Sequence, residues 1–199
     1  AGSRFGQFYA AGIAQDSSYL LRGILGRGSA RSRALSDSLG VEHWMSVDDV
    51  ADEVKLACVA VGGAVRGEKG VELAEAFMAR GIDVVIEHPL VPDELQHLLR
   101  QASRLKRRCL LNTFYLRLPV VAHFIALVRQ LQRSRGVRHM TATCGVQLGV
   151  ATLDVLGAGL QAVGPWSLQL LPDQEGCASS VSLVLGETSV SLQVLNEMD

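Results

Sequence analysis

The sequence predicts an α/β protein in which a parallel sheet covered by helices is followed by an α+β domain with a largely antiparallel sheet. In the first half of the chain, short apolar runs that suit strands alternate with segments of helical periodicity. After Tyr115 the pattern changes, because a long amphipathic segment opens at Pro119 and four strand-like runs follow it. We therefore place the first domain at residues 1–115 and the second at residues 116–199.

The first domain is predicted from alternating elements. In chain order these are a helix over 7–14, a strand over 20–25, a helix over 29–39, a strand over 56–61, a helix through 73–78, a strand over 84–86, a helix through 95–105 and a strand at 110–111. The run 56–61 is apolar throughout, as in strands buried on both faces. Gly81 is expected to end the third helix, and Asp93 and Glu94 suit the first turn of the fourth.

The second domain is predicted to combine two helices with four strands. The helices cover 119–131 and 151–160, and the strands cover 140–146, 166–171, 181–185 and 190–195. Gly186-Glu187 between the last two strands indicates a hairpin turn. The basic stretch 129–138 is interpreted as a solvated helix end rather than a binding patch.

Composition excludes several classes of function. The 199 residues carry a net charge of −1, which provides no field to hold a nucleic acid or an anionic membrane surface. No apolar run reaches the roughly 18–20 residues of a membrane span, and no secretory signal opens the chain. The four cysteines lack metal-ligand spacing, so we expect no metal site and a reducing, cytoplasmic setting.

Both ends of the sequence suggest a segment of a longer protein. A Rossmann-type dinucleotide domain normally has a strand before its first glycine loop, whereas this chain opens directly on Ala1-Gly2-Ser3. The end of the chain falls at or just after a predicted strand. We expect that the first strand is absent, which would expose a central sheet edge, and that the second domain is shortened at its C-terminus.

Two loops are candidates for binding a dinucleotide. The first is Gly2-Ser3-Arg4-Phe5-Gly6, where glycines and a helix N-terminus could approach a phosphate, although a plain turn into a helix explains it equally well. The second runs from Gly26 to Arg33 at a strand end that meets the adenosine ribose in such folds. Its Arg27, Ser29 and Arg31 favour the 2′-phosphate of NADP, because no acidic residue lies between Asp16 and Asp37; the alternative is a solvated helix start. The turn residue Gly63 is also assigned to cofactor binding.

Two further motifs follow predicted strands and could carry chemistry. Glu87-His88-Pro89 places a carboxylate and an imidazole at a carboxyl end, where open α/β sheets bind ligands, and an imidazole exchanges protons near neutral pH. Taken alone, this tripeptide is better explained as a surface turn, and only its context favours a functional site. The segment 112–115 ends in Tyr115, which is either a proton donor assisted by its surroundings or a structural tyrosine at a domain junction.

Together these motifs resemble the glucose-fructose oxidoreductase-like dehydrogenases, also called the Gfo-Idh-MocA superfamily. Glu87-His88-Pro89 takes the place of the Glu-Lys-Pro motif of the sugar dehydrogenases in that group. The pattern is similar to that of the thiazolinyl imine reductases of siderophore biosynthesis. The matching segments are Arg4-Phe5-Gly6-Gln7-Phe8-Tyr9, Arg27-Gly28-Ser29, Glu87-His88-Pro89-Leu90 and Asn112-Thr113-Phe114-Tyr115.

The resemblance implies hydride transfer from NADPH to the C=N carbon of a thiazoline, which gives a thiazolidine. It also implies a substrate carried by a peptidyl carrier domain of a nonribosomal peptide synthetase, and a homodimer built on the sheet of the second domain. His88 and Tyr115 match the catalytic positions, with Tyr115 as donor and His88 orienting or sharing the proton. Glu87 and His88 are also assigned to the cofactor site.

Two alternatives stay open from the sequence. A sugar or polyol dehydrogenase of the wider superfamily is one, although His88 stands where those enzymes have lysine. A non-catalytic NADP-binding partner of a synthetase is the other, although the pair His88 and Tyr115 favours an enzyme.

Overall fold

A computed structural model describes residues 4–61, 69–162, 166–170 and 178–195. By compactness the chain divides into Ala1–Asn112 and Thr113–Asp199. The sequence places the domain boundary close by, after Tyr115. None of the helices in the described part of the chain has the length and apolarity needed to cross a bilayer.

The first unit is built from parallel strands and helices, as the sequence predicts. Its elements are α1 (Arg4–Gln15), β1 (Gly23–Leu25), α2 (Ala30–Leu39), β2 (Glu42–Trp44), β3 (Leu56–Val59), α3 (Gly70–Ala79), β4 (Asp83–Glu87), α4 (Pro92–Leu105) and β5 (Cys109–Asn112). β1 pairs with β2, and β3, β4 and β5 form a second sheet in that order. Every pairing in both sheets is parallel. The Rossmann-like character of this half is therefore confirmed.

Local sequence signals set the helix ends of this unit. Ser29 caps α2 by accepting a hydrogen bond from the backbone N–H of Ser32. α4 begins at Pro92, and the Glu94 carboxylate accepts from the backbone N–H of Val91. Gly81 has φ +81° immediately after α3, and the predicted helix stop at this glycine is confirmed.

The core of the first unit lies between the second sheet and the helices α3 and α4. Ile86 of β4, Leu98 of α4 and Ala74 of α3 are fully buried there. Apolar residues recur on one face of each helix and along the central strand, so the hydrophobic effect fixes how these elements pack. This packing leaves the carboxyl ends of β4 and β5 at the edge of the core.

A cavity of about 1030 Å³ lies next to β1 and β3. Residues of both strands line it, together with Tyr9 and Ile13 of α1. The strand that the sequence predicts over 56–61 is present, but the prediction that both of its faces are buried is wrong. The strand ends at Val59, and Leu56 is 38% exposed because this face of β3 borders the cavity instead of a packed layer.

Three other elements differ from the sequence prediction. Helix α1 begins at Arg4, so Phe5 and Gly6 are already helical rather than part of a turn. Strand β1 begins at Gly23 and not at residue 20. A side chain at position 23 would collide with the Trp44 ring, because its Cβ atom would lie 2.5 Å from that ring. The second strand of that pair, Glu42–Trp44, is missed from the sequence because three residues of mixed polarity show no alternation.

The second unit combines two helices with one sheet. Its elements are α5 (Pro119–Arg135), β6 (His139–Gly145), α6 (Gly149–Leu160), β7 (Trp166–Leu170), β8 (Ala178–Leu185) and β9 (Thr188–Leu195). The strand order is β6-β9-β8-β7, in which the β9–β8 and β8–β7 pairs are antiparallel and the β6–β9 pair is parallel. The prediction of a largely antiparallel sheet is confirmed.

One face of this sheet packs on the two helices. Val128 of α5 and Leu156 of α6 are buried with Leu183 and Val190 of the central strands. Gly186 and Glu187 form the predicted two-residue hairpin turn, since Leu185 and Thr188 pair directly across it. The opposite face is mostly polar: it carries Ser182, Ser191 and Thr141, and the exposed Val184 lies on it as well.

Candidate active site

The ends of β4 and β5 bring two of the sequence-predicted motifs together. Glu87 ends β4 and Asn112 ends β5, and the two residues lie opposite each other in the parallel register. The backbone N–H of His88 donates to the carbonyl of Asn112 at 3.4 Å. Parallel strands point their carboxyl ends to the same edge of a sheet, which is where open α/β sheets bind ligands.

The side chain of Glu87 is buried, and more than one hydrogen-bond donor contacts its carboxylate. Its side chain is only 6% exposed. The Tyr9 hydroxyl donates to Oε2 at 2.6 Å, and Nδ2 of Asn112 lies 3.4 Å from the same oxygen. Nδ2 of Asn112 also donates to the Tyr9 hydroxyl oxygen. A buried polar group is costly unless it is hydrogen-bonded, and Tyr9 and Asn112 supply the hydrogen bonds that the Glu87 side chain needs.

The imidazole of His88 lies beside the other oxygen of Glu87. Its Nε2 lies 3.5 Å from Oε1, and its side chain is 15% exposed. The peptide bond between His88 and Pro89 is cis. A carboxylate beside an imidazole sets the direction of the ring and selects which nitrogen carries the proton. The arrangement can therefore hold an imidazole that gives or takes a proton at the sheet edge.

Tyr9 ends one of the segments that match the family pattern, but the sequence assigns it no role in the site. It sits on α1, 78 residues before Glu87, and no local pattern indicates the contact. Burial, followed by the hydrogen bond to Glu87, raises the pKa of the Tyr9 hydroxyl well above its ordinary value. The hydroxyl therefore remains a hydrogen-bond donor throughout the physiological pH range.

The loop after β1 forms a second polar region of the first unit. Arg27 and Ser29 are exposed there, and Gly28 has φ +74°, which glycine adopts without strain. Below the loop, the buried Ser32 hydroxyl lies 3.0 Å from Nε2 of His43. An exposed guanidinium on an anchored loop is a group that can bind a phosphate.

Arg31 is attached to the neighbouring helix. When the side-chain amide of Gln7 on α1 is oriented with its oxygen towards Arg31, that oxygen accepts a hydrogen bond from Nε of Arg31 at 2.7 Å. The contact links the first helix to the predicted ribose-side loop. The remaining predicted cofactor residues cannot be placed, because Gly2, Ser3, Gly63 and the side chain of Arg4 lie outside the described residues. The backbone of Arg4 and Phe5 forms the first turn of α1.

Tyr115 belongs to the second unit, where an unusual backbone turn precedes it. Phe114 has φ +60° and ψ −39°, and the backbone N–H of Tyr115 donates to the Thr113 carbonyl at 2.6 Å. These values describe a γ-turn with a positive φ, a strained conformation that clusters at functional sites. Thr113 is buried and donates through its hydroxyl to Asp154 of α6. The turn thus has a fixed anchor directly before Tyr115.

No metal centre is found in the part of the chain that the structure describes. No group of three or more histidine, cysteine, aspartate or glutamate side chains converges there. Cys58, Cys109 and Cys144 are free thiols, and burial raises the pKa of the first two. The Cys58 and Cys109 thiols are therefore held in their neutral form, as expected of small apolar side chains.

Solved structures resemble the chain over nearly its whole length. A protein from Sinorhizobium meliloti proposed to be a myo-inositol dehydrogenase is 15% identical, with a TM-score of 0.75, and the match covers 100% of this chain and 68% of that one. GenD2 from gentamicin A biosynthesis, solved with NAD, is 16% identical, with a TM-score of 0.77 and coverage of 98% and 64%. UDP-N-acetylglucosamine 3-dehydrogenase GnnA from Acidithiobacillus ferrooxidans is 16% identical, with a TM-score of 0.73 and coverage of 99% and 68%.

The chain thus spans 64–68% of the length of these relatives, and the likeness concerns the fold. Comparison with curated proteins finds no significant match. The model of the oxidoreductase family with an NAD-binding Rossmann fold, GFO/IDH/MocA, matches residues 1–113. This match covers more than half of the 199 residues and the whole of the parallel-sheet unit. The chain belongs to the GFO/IDH/MocA oxidoreductase family.

Proposed function

We propose that this chain is the larger part of an NADPH-dependent imine reductase that converts a carrier-bound thiazoline to a thiazolidine in siderophore assembly. The observation that carries the proposal is the pair Glu87 and His88 at the carboxyl end of β4. The sugar dehydrogenases that the motif resembles have lysine at the position of His88. An imidazole oriented by a buried carboxylate suits protonation of a nitrogen.

The reaction requires a proton to be placed at nitrogen. Reduction of a C=N bond adds a hydride to carbon, and the π electron pair moves to nitrogen, which takes a proton. The reduced nicotinamide, when bound, supplies the hydride. A group that delivers the proton as charge develops lowers the barrier. His88 and Tyr115 are the proposed pair, with Tyr115 donating and His88 orienting or sharing the proton.

The loop after β1 is proposed to select NADPH. Arg27 lies exposed at the end of β1, and Ser29 caps the helix that follows. A guanidinium and a hydroxyl can bind the 2′-phosphate by charge-assisted hydrogen bonds. Arg31, held by Gln7, would add a second positive charge nearby. Gly2, Ser3, Arg4 and Phe5 at the start of α1, and Gly63, are proposed to contact the rest of the cofactor.

A sugar or polyol dehydrogenase is the second candidate. It is favoured by the names of three relatives with the same fold, which describe a myo-inositol dehydrogenase, a gentamicin-pathway protein that binds NAD and a nucleotide-sugar dehydrogenase. Such an enzyme removes a hydride from a carbinol carbon and a proton from its oxygen. His88 in place of lysine favours the imine reductase instead.

One assay separates the two candidates. The chain is incubated with NADPH and a thioester mimic that carries a thiazoline ring, and in parallel with oxidised cofactor and either myo-inositol or a UDP-sugar. The proposal predicts cofactor oxidation only in the first arm. Turnover only in the sugar or polyol arm would replace the proposal with the second candidate. Binding of NADPH with no turnover in either arm would favour a non-catalytic partner of a synthetase.

A homodimer and a peptidyl carrier domain are the proposed partners, and the exposed sheet face offers support for the dimer. Ser191 of β9 pairs with Ser182 of β8 on one side and with Thr141 of β6 on the other. Residues paired directly across strands share a face, so this row of short hydroxyl side chains lies on the side away from α5 and α6. Short side chains let a second sheet approach closely.

Replacing Ser191 with arginine is therefore expected to convert the dimer to a monomer. A long charged side chain at the centre of the face would be buried without a partner in the dimer. Size-exclusion chromatography with light scattering measures the change. Ser38→Arg, at an exposed position of α2, serves as the matched control and should leave the mass unchanged. A dimer that persists in Ser191→Arg would place the interface elsewhere.

A further inference from the structure

We propose that Tyr9 is a positioning residue: it holds one oxygen of Glu87 so that the other oxygen faces His88 and fixes which ring nitrogen of His88 carries the proton. The catalytic consequence of this role rests on the proposed function. The structural part does not, because it concerns only contacts within the first unit. Tyr9 would act through Glu87 and would not itself touch the reacting atoms.

The contacts assign a different task to each oxygen of the Glu87 carboxylate. Oε2 accepts from the Tyr9 hydroxyl at 2.6 Å and lies 3.4 Å from Nδ2 of Asn112. Oε1 lies 3.5 Å from Nε2 of His88. Since Nδ2 of Asn112 also donates to the Tyr9 hydroxyl oxygen, Tyr9 is held from two sides. The carboxylate therefore cannot rotate without losing its shortest hydrogen bond.

The groups around this carboxylate come from three elements and from the residue that follows one of them. Glu87 belongs to β4 and His88 follows it, Tyr9 belongs to α1, and Asn112 belongs to β5. The described surroundings of the carboxylate thus hold no lysine or arginine contact to Glu87, and neutral donors and His88 compensate its charge.

This arrangement makes the Tyr9 hydroxyl hard to replace. Glu87 is buried, so water cannot substitute freely for a lost donor. Without the hydroxyl, Oε2 would keep only the longer contact to Asn112, and the carboxylate would turn towards the donors that remain. The imidazole of His88 would then meet a differently oriented anion, and the proton would be distributed differently between its two nitrogens.

The test is Tyr9→Phe, which removes one oxygen atom and keeps the ring. The 15N and 13C signals of the His88 ring, assigned with a His88→Gln variant, report which nitrogen is protonated and need no substrate. We expect Tyr9→Phe to shift this proton distribution and to lower kcat by about 10- to 100-fold, the equivalent of one hydrogen bond to a charged group. The KM for NADPH should change by less than about twofold, because the loop that carries Arg27 and Ser29 is untouched and Glu87 and His88 both remain in place at the end of β4.

Tyr19→Phe is the matched control, since Tyr19 is an exposed tyrosine of the same unit. If Tyr9→Phe does not fold, Asn112→Leu removes the second donor to Oε2 and should shift the same His88 signals. Unchanged His88 signals in a folded Tyr9→Phe protein would overturn the inference, whatever its stability. Shifted signals in a chain that reduces no thiazoline would support the positioning role and reject the proposed function, so the two failures are distinguishable.

Discussion

Replacing His88 with alanine is expected to lower the kcat of thiazoline reduction by about 10²- to 10⁴-fold, the range that a positioned acid or base contributes. His88 faces Oε1 of Glu87 at 3.5 Å, and its side chain keeps an exposed edge from which a proton can move. His88 is also assigned to the cofactor site, but the charge-assisted contacts to NADPH are assigned to the loop that carries Arg27 and Ser29, so the Kd for NADPH should stay nearly unchanged. Stopped-flow turnover and fluorescence titration with NADPH measure the two quantities.

Tyr115→Phe belongs to the same prediction and should also lower turnover at nearly constant NADPH affinity. The substitution keeps the ring contact with Phe114, whose centroid lies 5.0 Å away. The positive φ of Phe114 and the anchor of Thr113 on Asp154 are likewise preserved. His123→Ala, at an exposed position of α5, is the control for a lost imidazole. Wild-type turnover in both His88→Ala and Tyr115→Phe would show that the site is assigned to the wrong residues.

Arg27→Ala is expected to weaken the binding of NADPH by about 10- to 100-fold, since a charge-assisted hydrogen bond contributes about 1.5–3 kcal/mol. NADH binding should hardly change, because NADH lacks the 2′-phosphate that Arg27 is proposed to meet. Arg27 is the cleaner choice over Arg31, whose guanidinium also contacts Gln7 and so helps to hold α1. Isothermal titration with both cofactors gives the ratio directly.

Arg104→Ala is the control: it also removes one positive charge, but at an exposed position of α4 that is distant in sequence from the loop after β1. An equal loss of NADPH and NADH affinity in Arg27→Ala would mean that the arginine supports the loop instead of reading the 2′-phosphate. A wild-type preference for NADH would reject the assignment of NADPH itself.

Much of the fold could be predicted because strong local signals mark it. Apolar strands such as β4, the periodic helix α4 and the stop at Gly81 each depend on neighbours in the sequence. The three-residue strand Glu42–Trp44 could not be predicted, because its place is set by pairing with β1. Likewise, the partial exposure of Leu56 is due to the cavity beside β3 and cannot be predicted from an apolar run of sequence.

The candidate site likewise contains residues that the sequence indicates and residues that it does not. Glu87, His88 and Asn112 could be proposed from the sequence, since each follows an apolar strand and parallel strands align their carboxyl ends. Tyr9 could not, because its contact with Glu87 joins residues 78 positions apart through the packing of α1. The positive φ of Phe114 could not be predicted either, because bulky residues rarely adopt this backbone conformation and nothing in the sequence marks the turn.

The most direct test of the proposed function follows deuterium from NADPH that carries deuterium at both C4 positions into the product of a single turnover. The chain, the labelled cofactor and a thiazoline thioester mimic are mixed, and the product is analysed by mass spectrometry. We predict a thiazolidine with one deuterium on the former C=N carbon and an unlabelled proton on nitrogen. A thiazoline that stays unlabelled, while the same cofactor transfers deuterium to a keto sugar, would contradict the account.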